Sequence, residues 1–211
     1  MRADLSPAEL RDWITGRLDP LHPDADSSYG VRSDFDLNND HPVDGGVALK
    51  PAAVLMGLVE RPEGLGLILT RRADTLRSHT GQVALPGGRQ DPGETPWAAA
   101  LREAEEEVGL DRSYVDPVGY LDLYGTSFGF RILPTVAKVR PGFTLRISRA
   151  EVDDAFEVPL AFLMNPANHQ THTREFRGME RSYYAMPYAE RYIWGATAGI
   201  LRTLYQRIYL S

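Results

Sequence analysis

Residues 87–110, GGRQDPGETPWAAALREAEEEVGL, carry five glutamates and one aspartate beside two arginines. Carboxylates gathered this way can exchange protons with a substrate, or they can hold a hard cation. Mg²⁺ in particular prefers oxygen ligands and is commonly bound by a few carboxylates together with substrate phosphates. Spacing decides which of them can act together. On a helix of about 3.6 residues per turn, Glu103, Glu106 and Glu107 fall on one side, while Trp97, Leu101, Ala104 and Val108 fall on another, suited to packing on a sheet. Such a face is either an ordinary solvated one or a cation site. Two features favour the cation. Like charges at these spacings each cost roughly tenths of a kcal/mol, and only Arg102 is close enough in sequence to offset them. The preceding Pro86-Gly87-Gly88 also lets the backbone approach a ligand closely. Zinc would call for His or Cys instead.

The segment resembles a complete Nudix box: Gly88, five residues, Glu94, seven residues, then Arg102-Glu103-Ala104-Glu105-Glu106-Glu107-Val108-Gly109-Leu110. Ala104 is the one soft departure, where a larger aliphatic residue is usual. The resemblance implies an α/β (α+β) fold, an α/β/α sandwich around a mixed β-sheet, with the box as loop–helix–loop. It also implies hydrolysis of a phosphoanhydride in a nucleoside diphosphate linked to another group, assisted by Mg²⁺ or Mn²⁺. On this reading Glu103 and Glu107 are the principal metal ligands, and Glu106 joins them directly or through water. Arg102 orients a box glutamate, so that Glu103, Arg102 and Glu106 form the catalytic set. Glu105 points to solvent and Glu94 supports the loop. The general base is a box glutamate or one of Glu151, Asp153 and Asp154.

Immediately upstream, LILTRRADTLRSHTGQVALPGG (67–88) is similar to the extra motif of the coenzyme A pyrophosphatase branch. The matching positions are Leu69, Thr70, Arg72, Ala73, Arg77, Gly81, Pro86, Gly87 and Gly88; Ile68 and Leu85 depart while staying apolar. TSFGF (126–130) with Pro134 and IWGATAGIL (193–201) extend the similarity to roughly residues 51–205. This branch would cleave coenzyme A or its thioesters to 3′,5′-ADP and 4′-phosphopantetheine. Gly87 and Gly88 would then meet the substrate, and Arg72, Arg77 and His79 would supply donors for its extra phosphate. The plainer role for these three is to pin the loop to the box. Another nucleoside diphosphate derivative, such as ADP-ribose or NADH, remains the alternative substrate. A non-catalytic nucleotide-binding module is expected to lose box glutamates, and here all are present.

The elements that must position these groups are read from pattern. The helix spans about 96–108, with Thr95 as N-cap and Gly109 as stop. Residues 52–60 and 65–72 form a buried hairpin, and 118–125, 131–139 and 155–160 are further strands. Residues 172–188 form a second hairpin, and a C-terminal helix follows in 194–210 with Ile200, Leu201, Leu204, Ile208 and Tyr209 on one face. At the other end, Ser6, Pro7 and Glu9 open a helix through a capping box. Residues 19–50 read as a connecting loop, so 1–50 is an N-terminal helix and loop and 51–211 the Nudix domain. His169 and His172 lie in the hairpin without an acidic third ligand, which argues against a metal there, and Trp194 reads as core or helix packing.

Bulk composition bounds the partners. A net charge of −6 argues against nucleic acid or an anionic membrane surface, leaving a small-molecule substrate. The absence of cysteine excludes disulfides and cysteine nucleophiles. No signal core or membrane-length apolar run is present, so a cytoplasmic location is expected.

Overall fold

A computed structural model of the chain describes residues 6–21, 31–38, 49–75, 80–176 and 178–210. In chain order the elements are α1 (Pro7–Thr15), β1 (Val31–Ser33), β2 (Lys50–Arg61), β3 (Gly64–Arg72), β4 (Val83–Ala84), β5 (Gly87–Arg89) and α2 (Pro96–Val108). They continue with β6 (Val115–Tyr120), β7 (Leu123–Gly125), β8 (Phe130–Val139), β9 (Val152–Pro159), α3 (Leu160–Leu163), β10 (Gln170–Phe176), β11 (Met179–Tyr188), β12 (Arg191–Trp194) and α4 (Ala196–Tyr209).

β2 is central. Its unbroken run Ala52–Val59 is buried, as suits a strand covered on both faces. It pairs antiparallel with β3 through a tight turn and in parallel with β8, so the main sheet is mixed. The sheet runs β1-β7-β8-β2-β3-β4, with β5 also on β2, β6 on β8 and β9 on β3. Side chains of a strand alternate between faces. Ala53, Leu55 and Val59 pack under Ala99, Ala100, Ala104 and Val108 of α2. Val54, Met56 and Leu58 point the other way, into a core closed by Ile14 of α1, Leu160 and Leu163 of α3, and Ile200, Leu201 and Leu204 of α4. Helices therefore cover both faces of the sheet, the layering expected from the sequence. β10, β11 and β12 form a separate three-stranded antiparallel sheet. No helix among the described residues is long and apolar enough to cross a membrane.

Two readings change. Residues 19–50 are not all loop: Val31–Ser33 pairs in parallel with Leu123–Gly125 at the sheet edge. Three residues without alternation carry no periodic signal, and their pairing is set by a strand some ninety positions away in sequence. Residues 118–125 also split into β6 and β7, both paired to β8.

Candidate active site

α2 begins where Thr95 Oγ1 accepts the Ala98 N–H (3.2 Å). It ends at Gly109, whose positive φ of 63° lets its N–H reach back to the Ala104 and Glu105 carbonyls. Between these caps, Arg102 is the organising cation. Its guanidinium grips both carboxylate oxygens of Glu94 (3.0 Å each) and donates to the Arg89 carbonyl (3.0 Å). Nη1 bridges Glu103 (2.9 Å) and Glu106 (3.1 Å). Glu94 also accepts the Asp91 N–H (3.0 Å), so it braces the loop, and the Arg102 bond holds its pKa low. Glu105 turns away to Arg112 at the surface.

Glu107 departs from a solvated helix face. Only 3% of it is exposed, and burial pushes its carboxyl up to about 7 against the pull of the Gly87 N–H and Arg72. Its Oε2 accepts the Gly87 N–H at 3.2 Å, and Arg72 Nη1 stands 3.7 Å from Oε1. Burial also raises the pKa of Glu103, with Arg102 opposing. The loop that carries Glu151 runs past Glu107: the Ser148 N–H donates to the Glu107 carbonyl and the Glu151 N–H to that of Ser148, each at 2.9 Å. The other two candidate bases are engaged elsewhere. Asp153 accepts from Arg71 (2.9 Å) and the Asp74 N–H (3.1 Å), while Asp154 pairs with Arg191 (2.8 Å).

The glycine bend meets the glutamates because β5 is stitched to β2, Gly87 opposite Val54 and Gly88 opposite Ala53. A Cβ on Gly88 would lie 2.5 Å from the Glu103 carboxylate. The cradle is thus built of backbone amide, two partly desolvated carboxylates and an arginine. Hard oxygen donors of this kind fit Mg²⁺ or Mn²⁺. Among the described residues no three acidic or histidine side chains converge on one point in their present orientations, and Glu106 leans on Arg102.

From Gly87, Gly88 and Arg72 a cavity of about 620 Å³ runs to the β10–β11 hairpin and the start of α4. Lys50, Arg72, Arg89, Arg174 and Arg181 line it, against Asp34 as the acid among the described lining residues. Of the three expected substrate donors, Arg72 faces the cavity; its Nε is buried without a hydrogen-bond partner among the described residues. Arg77 and His79 lie outside the described residues. Trp194, expected as core or helix packing, is a cavity wall that meets Tyr183 edge to face (5.3 Å, 64°). His169 and His172 face different partners, Leu163 and Arg202 for one, Gln170 and Tyr192 for the other.

A strap formed by residues 33–38 walls the cavity. Asp34 accepts from Tyr124 Oη (3.1 Å), the Ser127 N–H (3.0 Å) and Ser127 Oγ (3.2 Å). Asn38 clasps the backbone of Ser182 in β11, donating to its carbonyl (3.0 Å) and accepting from its N–H (2.7 Å). The sequence reading missed Lys50, Arg89, Arg174, Arg181 and this strap. The register of the 172–188 hairpin was the available signal for the last two arginines.

Arg102→Lys keeps the charge and loses the planar fork. It is expected to lower kcat/KM by about 10- to 100-fold, as loss of an outer partner of a metal ligand commonly does. Steady-state kinetics checks this, and a loss below about threefold would make Arg102 a bystander.

The family model described as NUDIX domain matches residues 49–177. The uncharacterized Nudix hydrolase NudL of Cronobacter sakazakii is 41% identical over 156 residues, covering 74% of this chain and 81% of the relative. NudL of Yersinia enterocolitica is 38% identical over 177 residues, covering 83% and 90%. Among solved structures, the Nudix hydrolase RenU from M. smegmatis is 25% identical with a TM-score of 0.47, over 53% of this chain and 71% of that one.

Proposed function

The chain belongs to the Nudix hydrolase family, and from that premise we propose that it cleaves the diphosphate of coenzyme A or its thioesters to 3′,5′-ADP and 4′-phosphopantetheine. It is a pyrophosphohydrolase; the substrate is the proposed part. The observation that carries it is the cavity. In a chain of net charge −6, five cations among the described lining residues surround a nucleotide-sized space, and that space reaches Gly87, whose N–H is bound to the buried Glu107. A substrate with a third phosphoryl group besides its diphosphate answers such a surplus, and the 67–88 segment points to the same branch.

Glu103, Glu107 and a reoriented Glu106 would hold Mg²⁺ or Mn²⁺, which when bound neutralises phosphate charge and acidifies the attacking water. Arg102 fixes Glu103 and Glu106 in place. Gly87 and Gly88 let the diphosphate lie against backbone, and Arg72 takes a non-bridging phosphate oxygen. Glu151, on the loop bound to the Glu107 backbone through Ser148 and outside the Arg102 cluster, would receive the proton of the attacking water.

Chromatographic identification of products from coenzyme A, with and without Mg²⁺, tests the proposal. 3′,5′-ADP and 4′-phosphopantetheine are expected only with the cation. Equal or better turnover of ADP-ribose or NADH would transfer the assignment to those substrates.

A further inference from the structure

We propose that residues 33–38 form the end wall of a subsite for the uncharged arm of the substrate, the part that lies across the scissile diphosphate from the nucleoside, and that Asp34 and Asn38 are the positioning residues that hold this wall. The inference rests on the coenzyme A reading, in which that arm is pantetheine with or without an acyl group. It goes further by assigning the two halves of the substrate to the two ends of the cavity.

The main sheet supplies a ruler. Arg89, Ala52, Ile132, Tyr124 and Arg32 are paired in one row across β5, β2, β8, β7 and β1. The first four line the cavity, so this row is its floor. Strand spacings of about 4.8 Å put β1, where the strap begins, about 19 Å from the glycine-bearing β5. From the diphosphate an extended pantetheine arm reaches roughly 15 Å and a nucleoside roughly 10 Å, with bonds of about 1.2–1.5 Å. Phe35 and Leu37 line the cavity from the strap and take up the remaining distance. The longer arm therefore meets the wall, and the nucleoside falls short of it.

Charge sorts the two ends in the same sense. Lys50, Arg72 and Arg89 enter the cavity from β2, β3 and β5, the strands at the glycine bend. At the other end stands Asp34, whose carboxyl is pushed up by burial against its bonds to Ser127 and Tyr124 and the charge of Arg174. Arg174 thus has an anionic neighbour within the protein, and a phosphoryl group placed there would meet the Asp34 carboxylate as well. Between the ends, Ala52, Val54, Ile132 and Ile200 present apolar surface, suited to the aliphatic stretch of an arm without charge.

The wall is held from both sheets. Asp34 ties it to the main sheet through Tyr124 and Ser127, and its own N–H donates to the Gly125 carbonyl (3.2 Å). Asn38 ties it to β11, and its Nδ2 also reaches the Asp34 carbonyl (3.1 Å), so the two anchors brace each other. Two motifs that hydrolysis leaves without a task converge here: Ser127 belongs to TSFGF, and Gly199 to IWGATAGIL. A Cβ on Gly199 would collide with the Tyr124 hydroxyl that donates to Asp34. Glycine weakens a helix interior, so its place in α4 is explained by the ring it admits.

The test uses the full chain without metal and the two halves of coenzyme A as probes. By calorimetry, Asp34→Ala and Asn38→Ala are each expected to raise the Kd of 4′-phosphopantetheine by about tenfold, the scale of one lost hydrogen-bonded contact, and that of 3′,5′-ADP by less than about twofold. Asp34→Asn keeps an acceptor for Ser127 and offers a donor to the Tyr124 oxygen, so it should return 4′-phosphopantetheine binding to within about threefold of wild type. A defect as large in Asp34→Asn would make charge rather than the wall responsible, and overturns the positioning role. In hydrolysis, the Ala variants should lose kcat/KM for coenzyme A through KM. A larger effect on 3′,5′-ADP, an equal effect on both halves, no effect on either, or no binding of 4′-phosphopantetheine by the wild type overturns the subsite. Failure of coenzyme A to be hydrolysed would refute the proposed reaction, while the comparison of the two halves still decides the subsite. Should an Ala variant not fold, by circular dichroism melting, Tyr124→Phe decides: it removes one anchoring bond, and an unchanged Kd for 4′-phosphopantetheine refutes the wall.

Discussion

Glu107→Gln is expected to lower kcat by about 10³-fold or more while making the metal-free protein more stable at pH 8. The activity loss follows from removing one proposed ligand of a cation that would contribute several kcal/mol to transition-state charge stabilisation, with about 1.4 kcal/mol per tenfold. The stability gain follows from burial. The Glu107 carboxyl titrates from an ordinary value of 4.5 when unfolded to about 7 when folded. Between those values the folded chain holds a proton that the unfolded chain has released, so folding stability falls as pH rises through this window. The penalty is on the order of 1–3 kcal/mol above pH 7 and vanishes below about pH 4.5. A neutral amide of the same shape escapes it and can still accept the Gly87 N–H. Mg²⁺ should raise the wild-type melting midpoint by mass action, and the variant's much less. Turnover within about tenfold of wild type, or an equal Mg²⁺ response in both proteins, would place the ion elsewhere.

Adjacent glycines should fail in opposite ways. A Cβ on Gly88 would meet the Glu103 carboxylate, the far end of a side chain that can swing aside. Gly88→Ala is therefore expected to change stability by less than about 1 kcal/mol and to reduce activity by about 10²-fold, because the displaced group is a proposed metal ligand. A Cβ on Gly87 would meet main chain instead, the Ala53 carbonyl and Val54 Cα at 2.6 Å, and its φ is 154°. Neither neighbour can yield without breaking the β2–β5 pairing. Gly87→Ala should cost about 3 kcal/mol or more, read by urea denaturation. If the two variants lost stability equally, the bend would be only a fold element.

Much of this was legible because it is local. The ends of α2 match the expected Thr95 and Gly109, and the β2–β3 hairpin matches the apolar runs, since caps, turns and periodicity act within a few residues. Arg102 as the partner of a box glutamate and Glu94 as a loop support were expected separately; that the two grip each other is seen only in the fold. What stayed hidden depends on distance along the chain. The burial of Glu107 comes from Gly87, Arg72 and the loop whose Ser148 N–H caps the Glu107 carbonyl (2.9 Å). β1 exists because β7 receives it. Trp194 looked like core or helix packing because an aromatic ring in a sequence does not disclose whether its face meets an aliphatic neighbour or a guanidinium.

The clasp between Asn38 and Ser182 joins positions 144 apart, on either side of the whole box-bearing region. The two remote segments add walls to a cavity whose floor, Arg72 and residues 82–89, belongs to the same region as the proposed metal ligands. Exchange of residues 31–38 between relatives is then a route to new substrate preference with the bond-breaking step intact.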